Sequence, residues 1–229
     1  MAHRHLLYRN PHRRADFFAG QQKIHGPEHR PLVGAGRGKR KGGAGVESFE
    51  TERLLLRAWR PEDLDDFYAY CKDPAVGPNA GWKPHENKEE SRRILRSFLQ
   101  NDDTWALELK ENGRAVGSLG MHRGRLCGLF PGPGEGREIG YALSRAWWGR
   151  GLMPEAVRGA MDFAFRKAGL EYLVVAHFPS NARSKRVIEK CGFRYLKTLH
   201  GSYADYRGVK RDEVVYRITK EEYPAGRAG

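Results

Sequence analysis

Gly149 and Gly151 lie one residue apart, between a run of strand formers and a run of helix formers, and that arrangement can hold a phosphate. Ahead of them, Glu138-Ile139-Gly140-Tyr141-Ala142-Leu143 reads as a strand. Behind them, Pro154 suits the first position of a helix that continues through Glu155, Ala156, Val157, Ala160, Met161, Ala164 and Phe165. Glycine lets the backbone come close to an anion, and the N–H groups of a helix's first turn add partial positive charge. A plain tight connection has the same local pattern, so the surrounding elements must decide between the two.

Those elements alternate from Phe49 onward. Glu52 to Trp59 predicts a strand that Pro61 stops, and Pro61 to Tyr70 predicts an amphipathic helix with acids in its first turn. Asp73 to His85 is rich in Gly and Pro and is expected as a loop that exposes Trp82 and His85 beside rigid prolines. Asn87 to Asn101 predicts a second helix, and Thr104 to Lys110 with Ala115 to Met121 predicts a hairpin across Asn112-Gly113. Arg123 to Arg137 is expected as a loop. Beyond the glycine turn and its helix, Leu170 to Ala176 reads as a strand leading to a helix that starts at Asn181 and ends at Lys190. A helix crossing between two strands makes them parallel, and a site is expected at their C-terminal ends. Phe193 to Leu199 and Asp212 to Thr219 close the domain as a hairpin.

The chain has 229 residues and a net charge of +13, but that charge is unevenly placed. Residues 1 to 46 carry ten Lys or Arg against Asp16 and Glu28, a net of +8, which leaves +5 for residues 47 to 229. The first segment, rich in Pro, Gly and His, is expected as a disordered basic tail. Three readings suit it: a polyanion-binding arm, an organelle-targeting segment, or an extension upstream of the natural start, which the abrupt onset of pattern after Val46 favours. Residues 47 to 229 form the single expected domain. No apolar run is long enough to span a membrane, and a soluble protein is expected. Cys71, Cys127 and Cys191 are widely spaced and include no Cys-x-x-Cys pair, which argues against disulfides and zinc and for a reducing cytoplasm.

Glu138-Ile139-Gly140-Tyr141, Trp148-Gly149-Arg150-Gly151-Leu152-Met153, and Asn181-x-x-Ser184-x-x-Val187-Ile188-Glu189-Lys190-Cys191-Gly192-Phe193 together resemble the acyl-CoA signatures of the GNAT N-acetyltransferases. Phe49 to Arg57 and Asp212 to Tyr216 resemble the ribosomal-protein-alanine acetyltransferase (RimJ/RimL-like) branch. The resemblance spans residues 49 to 220. It implies an α/β (α+β) fold: a mixed, mostly antiparallel twisted sheet of six to seven strands, flanking helices, and a splayed parallel pair at the CoA site. It also implies acetyl-CoA as acyl donor, a primary amine as acceptor (a protein N-terminus or a small molecule), direct transfer in a ternary complex, no metal, and a monomer or homodimer.

By resemblance, the backbone of Trp148 to Met153 cradles the CoA pyrophosphate, with Trp148 and Met153 departing from the family pattern. A Met in the small-residue position implies a less crowded turn or a side chain that points away. Leu143 and its strand neighbours would pair with the pantetheine arm, and Asn181 and Ser184 would face the same arm, although Asn181 alone reads as a helix cap. Arg150 either adds charge to the phosphates or is simply solvated.

Glu138 is the preferred base, with a surface carboxylate as the alternative. The family's tyrosine acid falls at Ile188 and is absent, leaving Tyr141 and Tyr195 as candidates by proximity, and His122 as a further helper or a structural histidine. Trp82 and His85 are expected on the acceptor side, with a plug over the core as the other role for Trp82. Two non-enzymatic readings stand beside the enzyme: a CoA-binding regulatory domain, suggested by Ile188, and a polyanion binder working through the tail.

Overall fold

Strand period and helix period together set the two faces of one sheet. In the computed structural model, which describes residues 46–101, 103–130, 132 and 134–224, β1 (Phe49–Glu50) and β2 (Leu54–Arg57) lead to a 3-10 turn at Pro61–Asp63 and α1 (Leu64–Cys71). A short α2 (Gly77–Ala80) and α3 (Lys88–Gln100) follow, then β3 (Thr104–Leu109), β4 (Ala115–His122), α4 (Arg125–Leu129) and β5 (Gly136–Leu143). The chain ends with α5 (Leu152–Asp162), β6 (Tyr172–His177), α6 (Ala182–Lys190), β7 (Arg194–Ala204) and β8 (Lys210–Thr219). Residues 1–45 of the expected basic tail lie outside the described residues, while Val46 is buried against the core.

The eight strands run in the order β1-β2-β3-β4-β5-β6-β8-β7, one or two more than expected because the short Phe49–Glu50 pairing adds an edge. All pairs are antiparallel except β5 with β6, which α5 connects. Alternate residues divide β3 between two layers. Trp105, Leu107 and Leu109 join the cluster that α5 covers, and Ala106 joins the cluster of Phe67, Tyr70, Leu95 and Phe98 from α1 and α3. A strand covered on both faces reads as a nearly unbroken apolar run. In α3, Ser91, Leu95 and Phe98 form the buried stripe, and Asn87 caps the helix by accepting the Glu90 N–H at 2.9 Å.

Several boundaries differ from expectation. The helix expected from Pro61 starts as a 3-10 turn, and the loop between Arg123 and Arg137 contains α4. The closing hairpin is also longer, with β7 reaching Ala204 and β8 starting at Lys210.

Candidate functional site

β5 is the seam of the sheet. On one edge it pairs with β4 from Glu138 to Leu143, but on the other it pairs with β6 only at Gly136, Arg137 and Glu138. Past Glu138 the parallel strands part, with β6 continuing against β8 as far as His177. Between them opens a cleft of about 570 Å³, walled by β5 from Glu138 to Leu143, by the glycine turn, by the end of β6 and by the start of α6. Strand edges facing a cleft offer N–H and C=O groups in extended register to a linear ligand.

The glycine turn closes one end. Gly149 and Gly151 have φ of +77° and +79°, a conformation that side chains with a Cβ rarely adopt. Space is not the constraint. A Cβ on Gly149 would meet nothing within 4 Å, and one on Gly151 would find Arg53 Nη2 at 3.5 Å. α5 begins at Leu152 rather than at Pro154, so the proline occupies the third helical position, where its missing N–H removes no intrahelical bond. The amides of Leu152 and Met153 therefore end the turn as first-turn donors. Met153 is buried in the core, its side chain turned inward.

Glu155, one residue on, ties this turn to the start of the domain. Its Oε1 accepts the Thr51 hydroxyl at 2.6 Å and the Arg53 N–H at 2.8 Å, its Oε2 pairs with the Arg53 guanidinium at 2.7 Å, and Arg53 donates to the Arg150 carbonyl at 2.9 Å. Burial raises the carboxyl's pKa, but the Thr51 and Arg53 donors outweigh it and hold the value below the ordinary carboxylate range. A depressed pKa adds stability above the unfolded value of about 4.3 that is lost as pH falls through the folded value. Glu155→Gln is thus expected to cost about 1–2 kcal/mol at pH 7 and to converge on the wild type only as pH falls below the folded value, as read by urea melts at pH 7 and through the acid range.

Side chains around the turn are also fixed. The Trp148 indole donates to the Leu143 carbonyl at 2.8 Å, and Arg183 lies over its ring at 4.6 Å. Leu143 thus shares its expected strand-edge role with a partner from within the chain. Arg150 does not line the cleft. It is exposed and stacks over Trp147 at 4.5 Å. Asn181 caps α6 by accepting the Ser184 N–H at 3.0 Å and donates to the Asn79 carbonyl at 3.0 Å, so its side chain is the helix cap expected from the sequence, and the residue also lines the cleft. Arg183, Arg186 and Lys190 of α6 line the same wall and make this end basic.

The other end carries acid and base groups. Glu138 is half-buried, accepts the Leu126 N–H at 3.0 Å from α4, and stands opposite His122 in the β4–β5 ladder. His122 Nδ1 lies 2.8 Å from Asp103 Oδ2. Burial favours the neutral ring, but Asp103 and then Glu138 outweigh it, and the imidazole's pKa lies above its ordinary value. Tyr141 lies on the opposite face of β5, its hydroxyl 2.9 Å from Ser184 Oγ, and burial raises its pKa, so the phenol stays protonated.

The remaining sequence candidates are elsewhere. Trp82 and His85 do not line the cleft. Trp82 is buried among the α1 and α3 side chains, and His85 Nδ1 lies 2.7 Å from Ser91 Oγ, its pKa lowered by burial. Their neighbours Asn79 and Ala80 line the cleft in their place. Tyr195 is 62% exposed on β7, away from the cleft, and Ile188 is buried in the core.

Sequence reasoning missed Asp103, α4, and the buried Glu213 that pairs with Arg125 at 2.5 Å. Asp103 was hidden by a bulge. The Asn112-Gly113 turn puts Glu108 opposite Ala115, and the irregularity between Leu107 and Glu108 then shifts the pairing by one residue, so that Thr104 faces Gly120 and residue 103 reaches the end of β4. Among the described residues, no group of three or more His, Cys, Asp or Glu is placed to hold a metal ion, and no helix is long and apolar enough to cross a membrane.

Residues 53–194 match the family model described as Acetyltransferase (GNAT) domain. An uncharacterized N-acetyltransferase, p20, of Bacillus licheniformis is 26% identical over 183 residues, covering 78% of this chain and 99% of the relative. The [ribosomal protein uS5]-alanine N-acetyltransferase of Escherichia coli is 29% identical over 92 residues, 39% of this chain and 45% of that one. The solved structure of Mycobacterium smegmatis RimJ in complex with CoA-disulfide superposes with a TM-score of 0.64 at 20% identity, covering 81% of this chain and 93% of that one.

Proposed function

Because this chain belongs to the GNAT acetyltransferases, enzymes whose acyl donor is acetyl-CoA, we propose that its cleft holds acetyl-CoA and a primary amine together and passes the acetyl group directly between them. The observation that carries this reading is the parting of β5 and β6 after Glu138, with the positive-φ glycine turn at one end of the opening. A linear thioester chain fits along the strand edge. Its pyrophosphate would meet the amides of Gly149 to Met153, and Arg183, Arg186 and Lys190 would add charge at that end. Asn181 and Ser184 line the wall facing β5 and keep α6 and Tyr141 in place.

With the phosphates at the turn, the acetyl group lies toward Glu138 and His122. Transfer then needs little more than two aligned reactants and a route for protons. The acceptor is a primary amine, either a protein N-terminus or a small molecule. Trp82 and His85 would act on it indirectly, by supporting the Asn79–Ala80 wall.

Adding the protein and isotope-labelled acetyl-CoA to a cell extract, then sequencing labelled species by mass spectrometry, tests this reading. One or a few amines should gain the label. Tight CoA binding with no labelled amine would instead favour a CoA-sensing domain.

A further inference from the structure

The acid–base end of the cleft adds Asp103 to the Glu138 and His122 named from the sequence. We propose that His122 is the catalytic base of the transfer, with Asp103 as its positioning residue and Glu138 as the fixed negative charge beside it. This rests on the acetyl-transfer reading above.

Three observations carry the assignment. His122 is the last residue of β4 and lines the cleft where β5 leaves β6, so it lies where the acetyl group would be delivered. Asp103 is locked in place: its carbonyl accepts the Met121 N–H at 2.8 Å, and its Oδ1 accepts the Thr104 hydroxyl at 3.0 Å. Its Oδ2 then accepts from His122 Nδ1, which in the neutral ring makes Nε2 the proton acceptor. Glu138, by contrast, is tethered. Its Oε2 accepts the Leu126 N–H, and a Cβ on Gly124 would run into its carboxylate, so the bare glycine is what lets this loop close over it.

Tyr141 is on the other face of β5, against α6, and is not beside this group. The charged groups around His122 are Asp103 before β3, Glu138 and Arg137 on β5, and Arg123 and Arg125 at the entry to α4, with Glu213 of β8 paired to Arg125 and His177 at the end of β6.

The acceptor ammonium gives one proton to neutral His122, and the amine lone pair attacks the thioester carbonyl. The C–N bond forms and the C–S bond breaks, the second proton lost by nitrogen ends on sulfur as free CoA thiol, and imidazolium returns its proton to solvent. One proton is released overall. Because the neutral ring is the active form, activity rises with pH through the His122 limb, which Asp103 and Glu138 place above the ordinary histidine value.

The test is thiol release from acetyl-CoA across pH 5.5 to 9, with an alanine-initiated hexapeptide and, in parallel, a panel of primary alkylamines as acceptors. His122→Gln should lose about 10²–10⁴-fold in kcat and its acidic limb, while the KM for acetyl-CoA stays within about two-fold. Asp103→Asn should move the limb to lower pH, and Glu138→Gln should keep a limb. A His122→Gln enzyme with wild-type kcat and limb overturns the proposal, as does a limb that vanishes in Glu138→Gln alone. If His122→Gln does not fold, the Asp103→Asn limb decides, and an unmoved limb overturns the assignment. A wild-type protein that turns over neither class of acceptor defeats the acetyl-transfer reading itself and the proton role with it.

Discussion

A Gly149→Asp variant is expected to bind acetyl-CoA about 100-fold more weakly than the wild type, while Gly149→Asn stays within about three-fold. Position 149 separates charge from geometry unusually well. Its φ of +77° is one that Asn and Asp tolerate better than other side chains, and a Cβ there meets nothing within 4 Å. Both variants therefore carry similar backbone strain and no clash. They differ in one negative charge placed at the helix N-terminus where the pyrophosphate would lie. A hundred-fold loss is about 2.7 kcal/mol, within the range of a like-charge contact near a protein surface. Titration calorimetry with acetyl-CoA at low and high salt reads the difference, which should shrink as salt rises. Equal losses in the two variants would place the pyrophosphate elsewhere.

The glycine turn, the strand before it and the cap at Asn181 were legible in the sequence because each is a local device with its own residue requirement. Positive φ favours glycine at 149 and 151, and a helix cap favours a side chain such as Asn at 181. The start of α5 was misplaced for the same local reason: proline suits the first helical position but is tolerated through the first turn, and here it takes the third. What sequence hid was set by packing. Trp82 in a Gly- and Pro-rich stretch looks exposed, yet Gly77 without a Cβ lets the indole close against it and the ring goes inward. α4 escaped notice because a five-residue helix between Gly124 and two prolines has no readable period, although its Leu126 N–H is what engages Glu138.

The ends of the cleft thus differ in kind as well as in charge. The end proposed for the phosphates is built largely from backbone, so binding there would depend on dihedral angles and tolerate side-chain departures such as Trp148 and Met153. The end proposed for transfer is built from side chains on neighbouring strands, so its role would depend on register. A one-residue slip of β4 against β5 would carry His122 to the other face of the sheet and away from Glu138. The bulge between Leu107 and Glu108 in the β3–β4 ladder lies between the hairpin turn and this end. The register at Thr104–Gly120, and with it the approach of Asp103 to His122, is set on the far side of that bulge from the turn.

Arg57→Met is expected to destabilise the domain by about 3–5 kcal/mol, the largest single loss of stability among the ion pairs described. Arg57 ends β2, is 4% exposed, and holds two carboxylates at once. Its two terminal nitrogens each donate to Asp63 at 2.7 Å, its Nε pairs with Glu108 on β3, and Nη1 also reaches the Ala58 carbonyl at 3.0 Å. Asp63 in turn accepts the Arg60 N–H at 2.8 Å, which fixes the turn into α1. Methionine fills similar volume but leaves two carboxylates without this counter-charge, and Arg60, 57% exposed and 3.7 Å from Glu108, is too solvated to replace it. For a domain of this size the loss corresponds to a fall in Tm of about 6–20 °C. Adding Asp63→Asn and Glu108→Gln should recover part of it, because neutral amides remove the uncompensated charges while the side-chain carbonyl kept at position 63 still accepts the Arg60 N–H. A loss below about 1 kcal/mol in Arg57→Met, or a triple variant less stable than the single one, would show that α1 is held by apolar packing of Phe67 and Tyr70 and not by this ion network.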